Sequence, residues 1–169
     1  MKPIVCDLPY PTTDLERDVR SGQILSFAYA TLNGEVAATL QYSFQSFVLS
    51  KTEREIAETL QGIAIAEMRH IELLGKAMYS LGVTPVYTRY PNSRNYFDTS
   101  CVSQSVTLQK ILMDDLKSEL EAIAEYKKML LVLRNEQVEA LVERIILDEQ
   151  LHVETLKGLM QKADTTQNT

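Results

Sequence analysis

Tryptophan is absent from the 169 residues, and histidine and cysteine occur only twice each. Cys6 and Cys101 stand far apart and no Cys-x-x-Cys pair exists. That excludes a zinc ribbon or a rubredoxin-type iron site, which need four thiolates in close pairs. Both are expected as unpaired thiols in a reducing compartment. Basic residues are outnumbered, 17 against 23 acidic, giving a net charge of -6 and a pI near 5.0. Nucleic acid is therefore not the main partner, because phosphate binding wants a basic face. No apolar run approaches the ~18–20 residues of a membrane span. The opening MKPIVCDLPYPTTD lacks the apolar stretch of a secretory signal, so the cytoplasm is the expected compartment. What remains, 45% hydrophobic and 24% charged residues, suits one soluble domain with a sizeable core.

The apolar spacing is helical throughout and no strand pattern competes with it. Residues 1–30 read as an arm broken by Pro3, Pro9 and Pro11. Within it TTDLERDVR is expected as a short helix capped by Thr13 or Asp14. A first core helix spans Gly34 to Leu49 after an Asn33 cap, with Leu32, Glu35, Ala38, Tyr42 and Leu49 near one stripe. The SKTE stretch, residues 50–53, reads as a capping box that opens the second helix. That helix runs to about Leu81 and stops at Gly82 and Pro85. The next twenty residues have no period and are long for a compact domain, which suits a crossover between two helical hairpins. A third helix is expected from about Ser105 to Arg134 and a fourth from about Glu136 to Lys162, with a polar tail over 163–169. The fold class is all-α: a four-helix bundle over residues 31–162.

The chain repeats itself. EVAATLQY (35–42) and ELEAIAEY (119–126) share Glu-x-x-Ala-x-x-x-Tyr. EMRHIELLGKAM (67–78) and EQLHVETLKGLM (149–160) share Glu-x-x-His and close on methionine. Both histidines thus follow a glutamate by three residues, which random placement of 15 glutamates would rarely give. On the second helix Ile56, Leu60, Ile63, Glu67, His70, Leu74 and Met78 step by three or four. On the fourth the stripe is Val138, Leu141, Ile145, Glu149, His152, Leu156 and Leu159. On the third it is Leu112, Leu116, Glu119, Ile123, Tyr126 and Leu130. Glu121 falls on the opposite face with Asp114, Lys117, Glu125 and Lys128. Glu35, Glu67, Glu119 and Glu149 therefore point inward at mid-bundle.

Four unpaired carboxylates in an apolar core would protonate or cost many kcal/mol. No lysine or arginine lies on these stripes to neutralise them. Two divalent cations would balance the charge, and His70 and His152 would complete their coordination. Glu at i and His at i+3 sit on adjacent turns of one face, so both reach one ion.

These residues resemble the ferritin-like superfamily of dinuclear metal-carboxylate proteins, which place a Glu on each of two helices and Glu-x-x-His on the other two. GEVAATLQY and AEMRHIELLG look most like the rubrerythrin and manganese-catalase branches. The resemblance implies that Glu67 and Glu149 bridge two Fe or two Mn ions. Glu35 with His70, and Glu119 with His152, would be terminal ligands. Tyr42 and Tyr126 would serve the site by hydrogen bonding or electron transfer. The chain departs from rubrerythrins in lacking rubredoxin cysteines and in carrying Ala122 where their third helix has a second carboxylate.

The expected activity is oxidoreduction of H2O2 or O2, of peroxidase or catalase type, with an external electron donor for the former. Iron oxidation with storage in a hollow shell, and metal binding without turnover, are the alternatives. A homo-oligomer is expected, a dimer first. The HExxH zinc-protease motif does not occur. Met68, Met78, Met113, Met129 and Met160 read as packing, and Tyr87, Tyr90 and Tyr96 as packing or a subunit contact.

Overall fold

The computed structural model describes residues 2–88 and 97–167. Its helices are α1 (Val19–Tyr29), α2 (Glu35–Leu49), α3 (Arg54–Ser80), α4 (Leu108–Val132) and α5 (Glu136–Gln167), with a 3-10 turn at Thr99–Cys101 before α4. No strand occurs among the described residues. The chain is an all-α bundle in which α2 packs chiefly on α3 and α4 on α5, two hairpins face to face. α1 lies mainly against α3 and touches α4. No helix among the described residues is long and apolar enough to cross a membrane.

The stripes bury as their periodicity dictates. Leu60, Ile63, Leu74 and Met78 of α3, and Leu141, Ile145 and Leu156 of α5, are fully inaccessible. They separate into two apolar layers. One holds Leu25, Tyr29, Leu74, Met78, Leu141 and Ile145. The other holds Leu49, Leu60, Ile63, Leu112 and Leu156. At ~1.5–3 kcal/mol for each large aliphatic side chain buried, these layers hold the bundle together. Along α3 and α5 the Glu-x-x-His turns fall between the two, so the polar layer is walled at both ends.

Several local expectations are corrected. TTDLERDVR is not a helix from Thr13: residues 12–18 are irregular and α1 begins at Val19. Leu15 is held instead by Ser80, whose hydroxyl accepts from Leu15 N and donates to Leu15 O, both at 2.8 Å. The cap is Asp18, accepting from Ser21 N at 3.1 Å and Ser21 Oγ at 2.5 Å. SKTE forms no capping box. Ser50 Oγ donates to Phe47 O at 2.8 Å and so finishes α2, while Glu53 stands at the start of α3 without a side-chain cap bond. Gly34 rather than Asn33 precedes α2. A Cβ at Gly34 would lie 2.6 Å from Ala28 O, so the tight turn out of α1 demands glycine. Leu32 is 61% exposed and leaves the stripe, because it lies in that turn. Gly82, at φ +90°, ends α3 in the left-handed conformation that glycine favours. Tyr87 stacks on Tyr29 with ring centroids 5.9 Å apart, a packing role. Tyr90 and Tyr96 lie outside the described residues.

Candidate metal centre

α3 presents Glu67 and His70 from one turn, and α5 presents Glu149 and His152. α2 contributes its first residue, Glu35, and α4 contributes Glu119 from its middle. All six are at least 96% buried. They form two overlapping quartets, Glu35–Glu67–His70–Glu149 and Glu67–Glu119–Glu149–His152, in each of which one donor atom per residue lies within 4.8 Å of the others. His70 Nδ1 stands 3.1 Å from Glu67 Oε2, 3.1 Å from Glu149 Oε1 and 3.3 Å from Glu35 Oε2. His152 Nδ1 stands 3.1 Å from Glu67 Oε1, 3.4 Å from Glu149 Oε2 and 3.6 Å from Glu119 Oε2. Glu67 and Glu149 belong to both quartets.

The donor set fits a pair of divalent cations. Ligands at ~2.0–2.2 Å from one ion stand roughly 3 Å from their nearest fellow ligands. Glu67 Oε1, Glu149 Oε1 and His152 Nδ1 are buried without a hydrogen-bond partner. His152 Nδ1 is only 3.1 Å from Glu67 Oε1, yet the pair lacks hydrogen-bond geometry, so the two atoms converge on a common point rather than on each other. Such orphans are costly in a protein interior and call for a ligand.

Without metal, protons hold the cluster together. Burial raises the Glu35 and Glu119 carboxyls, and the charges of Glu67 and Glu149 raise them further. Burial alone would also raise Glu67 and Glu149. The protonated Glu35 and Glu119 carboxyls, and the imidazolium rings of His70 and His152 close by, overcome it and hold Glu67 and Glu149 below the ordinary range. Burial opposes the imidazolium forms, but the surrounding carboxylates outweigh it and push both histidines well up. Raised groups favour the metal-free fold when protonated, and that contribution is lost as pH climbs through their raised values. Cation binding must displace these protons. Calorimetric titration with Mn2+ near neutral pH, in buffers of different protonation enthalpy, is expected to show net proton release and an affinity that rises with pH. Binding without proton release would contradict this charge balance.

Two phenols and two further acceptors aim the ligands. Tyr42 of α2 donates to Glu119 Oε1, and Tyr126 of α4 donates to Glu35 Oε1, a reciprocal exchange that explains the shared Glu-to-Tyr spacing of seven. Burial first, then the adjacent carboxylates, raises both phenols, which therefore remain donors. His70 Nε2 lies 3.2 Å from Asp148 Oδ2, and His152 Nε2 donates to Ile4 O at 2.8 Å. These contacts keep a proton on each Nε2, so that Nδ1 is the nitrogen that faces the carboxylates and would lose its proton to an ion, as in carboxylate–histidine–metal arrangements.

The N-terminal segment thus completes the site. Asp148 also accepts from Cys6 N at 2.6 Å, Tyr10 OH at 2.5 Å and Arg144 Nη1 at 2.7 Å. Burial would raise its carboxyl, but the bonds from His70, Tyr10, Arg144 and Cys6 bring it down to about 2. Tyr10 is pushed up to about 12 by burial and by Asp148. Arg144 reaches back to the carbonyls of Cys6 and Leu8 at 2.7–3.0 Å. Ile4 N donates to Gly62 O at 3.1 Å, which fixes the carbonyl that faces His152.

A family model described as Rubrerythrin matches residues 24–160. The chain belongs to the rubrerythrin family. No curated protein matches it in sequence. Its rubrerythrin-family fold is similar to that of KatB, a manganese catalase from Anabaena PCC7120, at TM-score 0.84 and 20% identity over 94% of this chain and 80% of that one. It is similar to the bacterioferritin of Desulfovibrio desulfuricans, whose structure describes a diiron site, at TM-score 0.70 and 26% identity over 86% and 81% of the two chains. It is also similar to the Mycobacterium tuberculosis bacterioferritin BfrA, at 0.71 and 23% over 89% and 90%.

Within this rubrerythrin-family bundle the sequence reading missed Asp148, Arg144, Tyr10, Ile4 and Asp115. The first left a signal: the repeat breaks where Ala66 and Asp148 precede the paired glutamates, and Arg144 stands four residues before Asp148. Asp115 is fully buried one turn from Glu119, accepts from Gln41 and Gln45 at 2.9 and 2.7 Å, and is raised by burial to about 7. Ala122 lines the cavity beside the glutamates, so its helix supplies no second carboxylate there. Glu121 points outward, its side chain 45% exposed and 3.8 Å from Lys117. Glu121→Gln is accordingly expected to leave metal content unchanged by elemental analysis, and lost metal would show that α4 is turned differently.

Proposed function

We propose that the chain is a dinuclear metal oxidoreductase acting on hydrogen peroxide or dioxygen, with two Fe or two Mn ions. Glu67 and Glu149 would bridge them, Glu35 and His70 would complete one position, and Glu119 and His152 the other. The observation that carries this reading is the sharing of Glu67 and Glu149 by two buried quartets, with one oxygen of each left without a hydrogen-bond partner. Two adjacent ions, each changing charge by one, supply together the two electrons that cleavage of the peroxide O–O bond requires.

The chain's own groups divide the remaining work. Tyr42 and Tyr126 donate to the terminal carboxylates and hold one oxygen of each away from the pair. Asp148 and Ile4 O keep the imidazole protons on the outer nitrogens. Leu74 and Ile145 on one side, and Ile63 and Leu156 on the other, restrict water. The cavity beside the glutamates, about 20 Å3, has room for only a very small molecule, which supports peroxide or dioxygen rather than an organic substrate. A dimer is the assembly we expect, and Leu40 and Phe47, exposed on α2 at 46% and 70%, support self-association.

The test is metal content of protein from its native host, followed by addition of peroxide. Two ions per chain are expected. Oxygen release without a donor identifies catalase chemistry, and peroxide loss only with added reductant identifies a peroxidase. Oxidation of Fe2+ by a hollow shell identifies storage, and inert bound metal a binding module. Fewer than two ions per chain overturns the dinuclear assignment.

A further inference from the structure

We propose that Cys101 is a modification site for peroxide-sized oxidants at the mouth of the metal cavity, and that a group added to its sulfur closes the centre. The inference rests on the function proposed above. The cavity of about 20 Å3 is lined by Leu32 and Cys101 together with Glu67 and Glu149. Cys101 is half-buried and Leu32 is 61% exposed, so both reach solvent. Glu67 and Glu149, 1% and 2% exposed, carry Oε1 atoms with no hydrogen-bond partner. A solvent-accessible thiol therefore shares a very small cavity with the unsatisfied carboxylates.

The thiol is held there by the bundle itself. Cys101 closes the 3-10 turn Thr99–Cys101, and its backbone N–H donates to Asp98 O at 3.2 Å. Two residues on, Ser103 N donates to Gln41 Oε1 at 2.9 Å, and Gln41 Nε2 donates in turn to the buried Asp115. The hydroxyls of Ser103 and Ser105 donate to Asp114 at 2.8 and 2.7 Å. The turn is thus tied to α2 and α4, the two helices that wall the cavity. Interiors are close-packed, and a space for one small molecule leaves little room for added atoms.

The step balances. The Cys101 thiolate attacks one peroxide oxygen, the S–O bond forms as the O–O bond breaks, and the sulfur loses two electrons. The departing oxygen takes them with a proton from solvent and leaves as water, and the product is the sulfenic acid. Bulkier adducts at the same sulfur, from thiol reagents, have the same obstructing effect.

The test uses the full chain loaded with Co2+, whose visible absorption reports on its ligands, and azide as a probe of peroxide's size. The native sequence and Cys101→Ala are each treated with N-ethylmaleimide, and Cys101→Ser is a second control should the alanine variant not fold. Labelling is expected to slow the azide-induced spectral change by about tenfold or more in the native sequence, as closure of a gate does, and to make no difference in either variant. Dilute peroxide is expected to add oxygen to Cys101, read by mass spectrometry. Unchanged azide binding with Cys101 fully labelled overturns the inference and leaves the dinuclear reading standing. A folded protein whose Cys101 reacts with neither reagent also overturns it. A chain that binds no pair of Co2+ ions overturns both.

Discussion

Glu67→Ala is expected to empty both metal positions, whereas Glu35→Ala empties chiefly one. Glu67 Oε2 faces His70 and Oε1 faces His152, each at 3.1 Å, and the residue belongs to both quartets. Its removal takes a charged donor from each position at once. Each ion is then left with fewer than the usual complement of protein ligands in a dry layer where water substitutes poorly. The loss of affinity should exceed the ~10–100-fold typical of losing an outer partner of a ligand. Glu35 belongs to a single quartet and Tyr126 is its own partner, so its loss leaves the Glu119–His152 position with all of its donors. The two variants are compared by elemental analysis after gel filtration. Full occupancy in Glu67→Ala, or equal losses in the two variants, would refute the sharing of Glu67.

Removal of residues 2–10 is expected to weaken metal binding by ~10–100-fold while the helices persist. The segment supplies Ile4 O to His152, and Cys6 N and Tyr10 OH to Asp148, which orients His70. His152 loses its outer partner outright, and the Asp148 that orients His70 loses two of its donors. Arg144 keeps Asp148 but loses the carbonyls of Cys6 and Leu8. A buried charge so deprived destabilises the fold, and complete loss of its partner would cost ~3–5 kcal/mol. Tyr10→Phe removes one donor alone and should show the same direction with a smaller effect. Competition with a chelator gives the affinities and far-ultraviolet circular dichroism the helicity. A truncated chain that stays helical and binds at native strength would show the segment to be mere packing. The depressed Asp148 carboxyl adds a pH signature. Its contribution is present above the ordinary carboxylate value and is lost as pH falls toward about 2.

Helix phase was legible because it is periodic. Glu67 and His70 replace two apolar steps in a stripe that resumes at Leu74, and four stripes so interrupted define one polar layer. The Glu-to-Tyr spacing was also legible, but not its meaning. Only the structure shows that each tyrosine crosses to the other helix's glutamate. Cap chemistry misled at Asn33 and in two longer stretches. SKTE and TTDLERDVR have suitable residues, but Ser50 is committed to the end of α2 and Leu15 to Ser80. A tertiary contact outranks a local preference worth ~1 kcal/mol. The N-terminal segment left no signal, because it acts largely through backbone groups. A carbonyl such as that of Ile4 has no side-chain code, and an irregular strip of nine residues has no period to detect.

The contact between Ile4 and His152 joins positions 148 residues apart. A chain emerging from the ribosome exposes its first strap long before the helix that needs it exists. Capture of the proposed ions would therefore wait until synthesis is nearly finished, and a half-made protein would offer no two-metal nest in which to scavenge cations or run the proposed oxidative chemistry unprotected. A bulky tag fused ahead of Lys2 would interfere with that last assembly step, so a fusion is better carried beyond α5.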